Sequence, residues 1–406
     1  MRRVVVTGMG IWSCIGQDLQ TVTESLRQGR SGIIFDPKRI EFGLQSGLIG
    51  NVPRPDLKPL LPRKFRATMS EDAEYAYMAA RQAFEQAGIN DEYLRQNEVG
   101  IIWGSDFISK EKLASHEIMK LEKDASLLGP NALFMQETSS VSMNLSSIFG
   151  LKGINLCVGA ACASATHSIG LATTFIRNGL QEIILIGGTN EIASMPASAL
   201  LDSVQGLSCL NDYPQKASRP YDTKRDGMVT SGGGASLVLE SYEHAVERKA
   251  PIIAEVIGYG FSTDGLFVTD NNYKCIVKSM QNALDDARLR PIDIDYVNSL
   301  AFSSIPGDIL DAKALSALFT DSGVAISSTQ SMTGHEHNMT GCSSTIYSLL
   351  MMQNNFIAPT LNLEEKIAEA KELNIITSTT NKEINHIMVN STGLGGNNCT
   401  IILKKI

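Results

Sequence analysis

The sequence predicts an α/β protein built from two similar halves. Three observations carry this. Short β-branched runs end in small residues, helical patterns lie between them, and the same order of runs recurs in the second part of the chain. The 406 residues leave room for two or three domains or two fused repeats.

In order, residues 3–7 lead into Gly8-Met9-Gly10, and 99–103 into Gly104-Ser105. Residues 155–158 lead into Gly159-Ala160-Ala161-Cys162, 182–186 into Gly187-Gly188, and 235–239 close the set. The order then repeats: 253–257 before Gly258-Tyr259-Gly260, 296–298 before Ser299, and 324–327 before Met332-Thr333-Gly334-His335. Residues 387–389 lead into a glycine-rich turn at 393–396, and 400–403 close the chain. Such runs read as strands buried on both faces. Residues 73–87, 164–178 and 273–287 carry helical patterns between them. Alternation of this kind predicts a mainly parallel sheet. The halves span 1–245 and 246–406, and a long insert at about 106–150 is their largest asymmetry. In open parallel sheets, function sits at the carboxyl ends of strands. That directs attention to the turns after 155–158 and 296–298, and to those around 335 and 393–396.

Composition narrows the class. Hydrophobic residues are 43% and charged residues 19%, which excludes a disordered chain. The net charge of -8 argues against a general nucleic-acid binder. No apolar run approaches the ~18 residues of a membrane span. The apolar stretch after Met1-Arg2-Arg3 is too short for a signal peptide. Seven cysteines without a CxxC pair predict reduced thiols and a cytoplasmic protein.

Cys162 is the nucleophile candidate. A strand precedes it, a helical pattern follows it, and small residues surround it, as in a nucleophile elbow. A helix N-terminus there favours the thiolate. The competing reading is a buried structural cysteine. His335, on a polar turn entering a helix at 343–352, is the second candidate. It could donate to a thioester oxygen, or simply cap the helix or face solvent. His335 and His337 make an HxH pair, but no third ligand is evident, so no metal is expected. His167 reads as packing, and His116, His244 and His386 as surface or loop residues. The turn at 390–398 could form an anion nest or oxyanion hole. It does not match a dinucleotide fingerprint.

Several motifs then fall in one order along the whole chain. They are Val6-Thr7-Gly8-Met9-Gly10-Ile11-Trp12-Ser13-Cys14-Ile15-Gly16 and Ala161-Cys162-Ala163-Ser164-Ala165-Thr166-His167. Lys216-Ala217-Ser218-Arg219-Pro220-Tyr221-Asp222 comes next, with Arg225-Asp226-Gly227, then Ser331-Met332-Thr333-Gly334-His335 and the final Gly-x-Gly-Gly turn. With these the chain resembles the β-ketoacyl-[acyl-carrier-protein] synthase I/II family of thiolase-fold condensing enzymes. The resemblance implies a layered αβαβα core and dimers acting on acyl groups held by acyl carrier protein. It implies a cysteine, Cys162, that takes the acyl chain, and an oxyanion hole from the N–H groups of Cys162 and Leu394. It implies Thr333, Gly395 and Gly396 as substrate-binding positions, and no cofactor. In such enzymes two histidines help malonyl-carrier lose carbon dioxide and stabilise the enolate.

Departures from that pattern bear on activity. The family's first histidine position is Leu300, its lysine is Gln330, the glutamate partnering that lysine is Asp311, and its gating phenylalanine is Leu394. Losing one donor to a developing oxyanion costs about 10²–10³ in rate. His337 or Ser299 would have to substitute, and at a helix start His337 would point away from His335. Independent decarboxylative condensation is therefore doubtful. The sequence favours a specialised or chain-length-factor-like subunit, paired with a catalytic ketosynthase in fatty acid or polyketide and polyene elongation. The alternative is a self-sufficient condensing enzyme or acyltransferase using Cys162 and His335, as a homodimer; a dead scaffold is the third reading. Arg63, Lys64 and Arg66 form a basic cluster suited to an acidic carrier, or else a solvated helix start. Residues 129–144 are expected at the dimer interface by resemblance.

Overall fold

Glycine pairs inside two strands decide how the layers meet. Strand β1 (Val4–Trp12) carries Gly8 and Gly10, and β6 (Ala254–Thr263) carries Gly258 and Gly260. A Cβ on Gly8 or Gly10 would sit 2.0 or 1.9 Å from the carbonyls of Ala83 and Ala79 in helix α1 (Glu71–Gln86). On Gly258 or Gly260 it would sit 2.5 or 2.1 Å from those of Ala283 and Ser279 in α4 (Tyr273–Ala287). The strands therefore do not end before these glycines, where the apolar runs of the sequence stop. The glycines let an outer helix dock directly on a strand, so both strands run on through them.

The computed structural model describes residues 1–106, 110–191, 195–267, 272–320 and 322–406. The remaining main strands are β2 (Gly100–Gly104), β3 (Asn155–Val158), β4 (Ile183–Asn190), β5 (Gly233–Ser241), β7 (Tyr296–Asn298), β8 (Ala325–Ser327), β9 (His386–Gly393) and β10 (Asn397–Lys404). The order across the sheet is β8-β7-β9-β10-β6-β1-β5-β4-β2-β3. Read outward from the β1–β6 junction, each half has the same order. In each, the first two pairings are antiparallel and the outer two parallel. The sheet is thus mixed rather than mainly parallel, because β5 and β10 return beside the strands that open each half.

Helices α3 (Ser164–Arg177) and α6 (Thr340–Gln353) pack against each other between the two halves of the sheet. Every residue of α6 from Thr340 to Met352 is buried. Outside lie α1 with α2 (Ser140–Phe149) on one side and α4 with α5 (Ile305–Phe319) on the other, giving five αβαβα layers. The insert at about 106–150 contributes helices Lys110–Glu122 and Ala132–Gln136 before α2; its residues 107–109 lie outside the described ones. Strand β3 breaks the expectation of burial on both faces. It is an edge strand, and Leu156 is 40% exposed.

Candidate active site

The chain leaves β3 through Ala161, a non-glycine residue at φ 49° that opens a short 3₁₀ turn, and Cys162 is the middle residue of that turn, which leads into α3. Ser164 Oγ accepts from Ala160 N–H and donates to the Ala161 carbonyl, while Ala161 N–H donates to Asp106. These bonds hold the strained elbow. The glycine-rich turn closes over it: a Cβ on Gly393 would lie 2.4 Å from the Ala160 carbonyl and 3.3 Å from Cys162 N. Leu394 follows, its side chain 74% exposed.

His335 comes from the turn after β8. Gly334, at φ 73°, brings His335 N–H 2.7 Å from the Val229 carbonyl. The Sγ of Cys162 and Nε2 of His335 are 3.0 Å apart. Gln330 fixes the tautomer. Its amide nitrogen donates to the Leu300 carbonyl, so its oxygen faces His335 and accepts from Nδ1–H. Nε2 then carries a lone pair and accepts from the Cys162 thiol. Burial drives the His335 imidazole well below its ordinary range, with His337 adding to the effect. Burial and the Asp106 charge push the Cys162 thiol up to about 12. Both shifts run toward the neutral pair, against the pull of the helix terminus toward a thiolate.

His337 is the largest departure from expectation. His335 lies on extended backbone and His337 sits at φ 46°, so the two follow a two-residue period and not a helical one. Their ring centroids are 4.6 Å apart, and the Cys162, His335 and His337 ligand atoms lie within 4.8 Å of one another. A third soft ligand therefore does stand beside the HxH pair, where the sequence showed none. Such a set could accept zinc with an open position. Burial holds the His337 imidazole down at about 4, and it hydrogen-bonds to no described residue.

The other altered positions separate. Leu300 is buried on the cavity wall. Asp311 engages Tyr221 Oη and accepts from Asn390 Nδ2 at 2.9 Å, with no hydrogen bond to Gln330. Phe302, which sequence reasoning passed over, stacks on His335 with centroids 4.2 Å apart. Its N–H donates to Asp308, whose other oxygen accepts from Tyr221 N–H. Arg225 donates to the carbonyls of Ser304 and Ile305. The Tyr221 and Arg225 motif residues thus clamp the loop carrying Leu300 and Phe302. Ser299 accepts from Tyr221 Oη, away from the thiol.

Two cavities meet at Cys162. One, about 190 Å³, is walled by Leu300, Phe302, Leu310, His335 and Gly393. The other, about 280 Å³, is walled by Ile49, Asp106, Glu191, Leu200 and Thr230. Cys162, His337, Leu201 and Leu394 belong to both. Thr333, whose hydroxyl donates to the Gly334 carbonyl, lines neither, and nor do Gly395 and Gly396. His167 packs, with Nδ1 2.8 Å from Tyr259 Oη. His244 is not a plain surface residue: it lies between Glu240 and Tyr93. His386 Nδ1 lies 3.0 Å from the Asp293 carbonyl, and His116 is on the helix of the insert.

Comparison with known proteins agrees over the full length. Residues 1–245 match the β-ketoacyl synthase N-terminal domain and 253–364 the C-terminal domain. The chain is 39% identical over 409 residues to 3-oxoacyl-[acyl-carrier-protein] synthase 1 of Escherichia coli, with all of both chains covered. Its fold superposes on a β-ketoacyl synthase from Burkholderia phymatum with TM-score 0.94 and 32% identity, covering 100% of each. The ishigamide ketosynthase/chain length factor gives 0.92 and 28%, covering 100% of this chain and 99% of the other.

Proposed function

As this chain belongs to the β-ketoacyl synthase family, we propose that it transfers acyl groups from acyl carrier protein onto Cys162 for carbon-chain elongation. One observation carries the reading: Cys162 and His335 are in hydrogen-bond contact at the meeting point of two cavities, with Gln330 turning the basic imidazole nitrogen to sulfur. In this reading the thiol proton passes to His335 Nε2 as sulfur attacks the thioester. The carrier thiolate leaves with that proton. The N–H groups of Cys162 and Leu394 hold the oxyanion. Leu300, Gln330 and Asp311 are altered pocket positions, and of these Gln330 takes on the orientation of His335. Thr333, Gly395 and Gly396 act behind the wall by shaping the two turns.

Exposed Arg63 and Lys64 are the proposed carrier contact; Arg66 is less available because its Nε donates to the Leu61 carbonyl. The proposed dimer surface is the open edge of β3 with residues 129–144, where Leu133 and Phe134 are exposed. Cys157 in β3 donates to the Thr138 carbonyl, so these two segments adjoin. No helix among the described residues is long and apolar enough to cross a membrane.

The likeness to a ketosynthase/chain length factor and the apolar side chain at Leu300 favour a second reading, a partner subunit that shapes an acyl tunnel without condensing. The test is intact mass after mixing the purified protein with acyl-loaded carrier protein. Acyl transfer predicts one acyl adduct, absent in Cys162→Ala. No adduct, with a stable heterodimer formed on adding a ketosynthase, would favour the partner reading instead.

A further inference from the structure

The site has one proton acceptor and needs a donor. Gln330 commits His335 to the tautomer whose Nε2 faces Cys162 as an acceptor. Leu300 offers no polar atom. His337 is the remaining imidazole at the sulfur, its ring 4.6 Å from that of His335. Its nitrogens bond to no described residue, and its backbone is left-handed at φ 46°. It lines both cavities, so it faces whatever bridges them.

We propose that His337 is a catalytic residue, the N–H donor to the thioester oxygen of a malonyl-type extender during decarboxylation. This rests on the acyl-transfer reading of Cys162. The bond between the malonyl carboxylate and its α-carbon breaks, carbon dioxide leaves, and the electron pair forms an enolate whose oxygen accepts from His337. The α-carbon then attacks the acyl-Cys162 carbonyl, the carbon–sulfur bond breaks, and Cys162 leaves as thiolate. A solvent proton, delivered through His335, restores the thiol. The donor missing at Leu300 is thereby supplied from another position in the chain, and the chain condenses without a second kind of subunit.

The test follows carbon dioxide release from malonyl-loaded carrier protein, with Cys162 acylation measured on the same preparation. Relative to acylation, release should fall about 10²–10³-fold in His337→Ala. It should recover in part in His337→Gln, which keeps an N–H donor. It should also recover in the His337→Ala, Leu300→His double variant, which returns an imidazole to the loop. Release in His337→Ala within about threefold of the unaltered chain would overturn the proposal. So would an unaltered chain that is acylated but releases no carbon dioxide. His337-dependent release with no acylation would instead sink the acyl-transfer reading, and with it the condensation step, while upholding only the donor role of His337 in decarboxylation.

Discussion

The turn after β3 and the turn after β8 occupy the same place in the two halves of the fold. Each ends in a short 3₁₀ segment, Ala161–Ala163 or His337–Met339, that opens a central helix. Each begins that segment with a non-glycine residue in the left-handed region, Ala161 at φ 49° and His337 at φ 46°. Their cargo differs. The first delivers a thiol beside Ala161. The second delivers two imidazoles, one at the strained position itself. The same backbone geometry thus occurs in both halves, and in the proposed reaction the side chains placed on it would divide the labour between nucleophile and acid–base groups. Because α3 and α6 pack together, the two strained turns face each other across the sulfur.

The sharpest way to break this division is to remove the base. His335→Ala should slow acylation of Cys162 by about 10²–10⁴, read as the rate of adduct formation by mass. An unchanged rate would mean that sulfur is activated by something else. Next is the group that orients the base. Gln330→Leu should cost about 10–100-fold in the same assay, since losing a supporting partner frees the ring and its tautomer. A loss as large as that of His335→Ala would mean Gln330 touches substrate itself.

A pH profile sharpens the contrast further. An ordinary histidine base loses activity as pH falls through ~6.5. The pKa of His335 is depressed well below that by burial, so its lone pair persists at lower pH. Acylation should hold steady through the ordinary histidine range and decline only well beneath it. An inflection near ~6.5 would show that the imidazole is hydrated in solution. The smallest effect concerns strain. Ala161→Gly relieves a left-handed alanine, and thermal unfolding should show stabilisation of about 0–1 kcal/mol. A clear loss would mean the Cβ of Ala161 packs usefully against the glycine-rich turn.

Local sequence determined a good deal of this molecule. Residues 273–287 and the start of a helix at 164 are helical in the structure, because apolar spacing and caps such as Asn272 act over one or two turns. Runs of β-branched residues marked the strands, and their recurrence marked the two similar halves. Local order also marked Cys162 on an elbow and His335 on a polar turn. Tertiary structure decided the rest. Whether Gly8 and Gly10 end a strand or admit a helix depends on the Ala79 and Ala83 carbonyls, some seventy residues away. Whether β3 is covered depends on what lies beyond the sheet edge. The role of Gln330 depends on the Leu300 carbonyl reaching it from another loop. The approach of the His337 ring to His335 goes with a left-handed backbone at φ 46°, which spacing does not reveal. Spacing along a chain can state which side chains are near in sequence. Only packing settles which way a strained residue points.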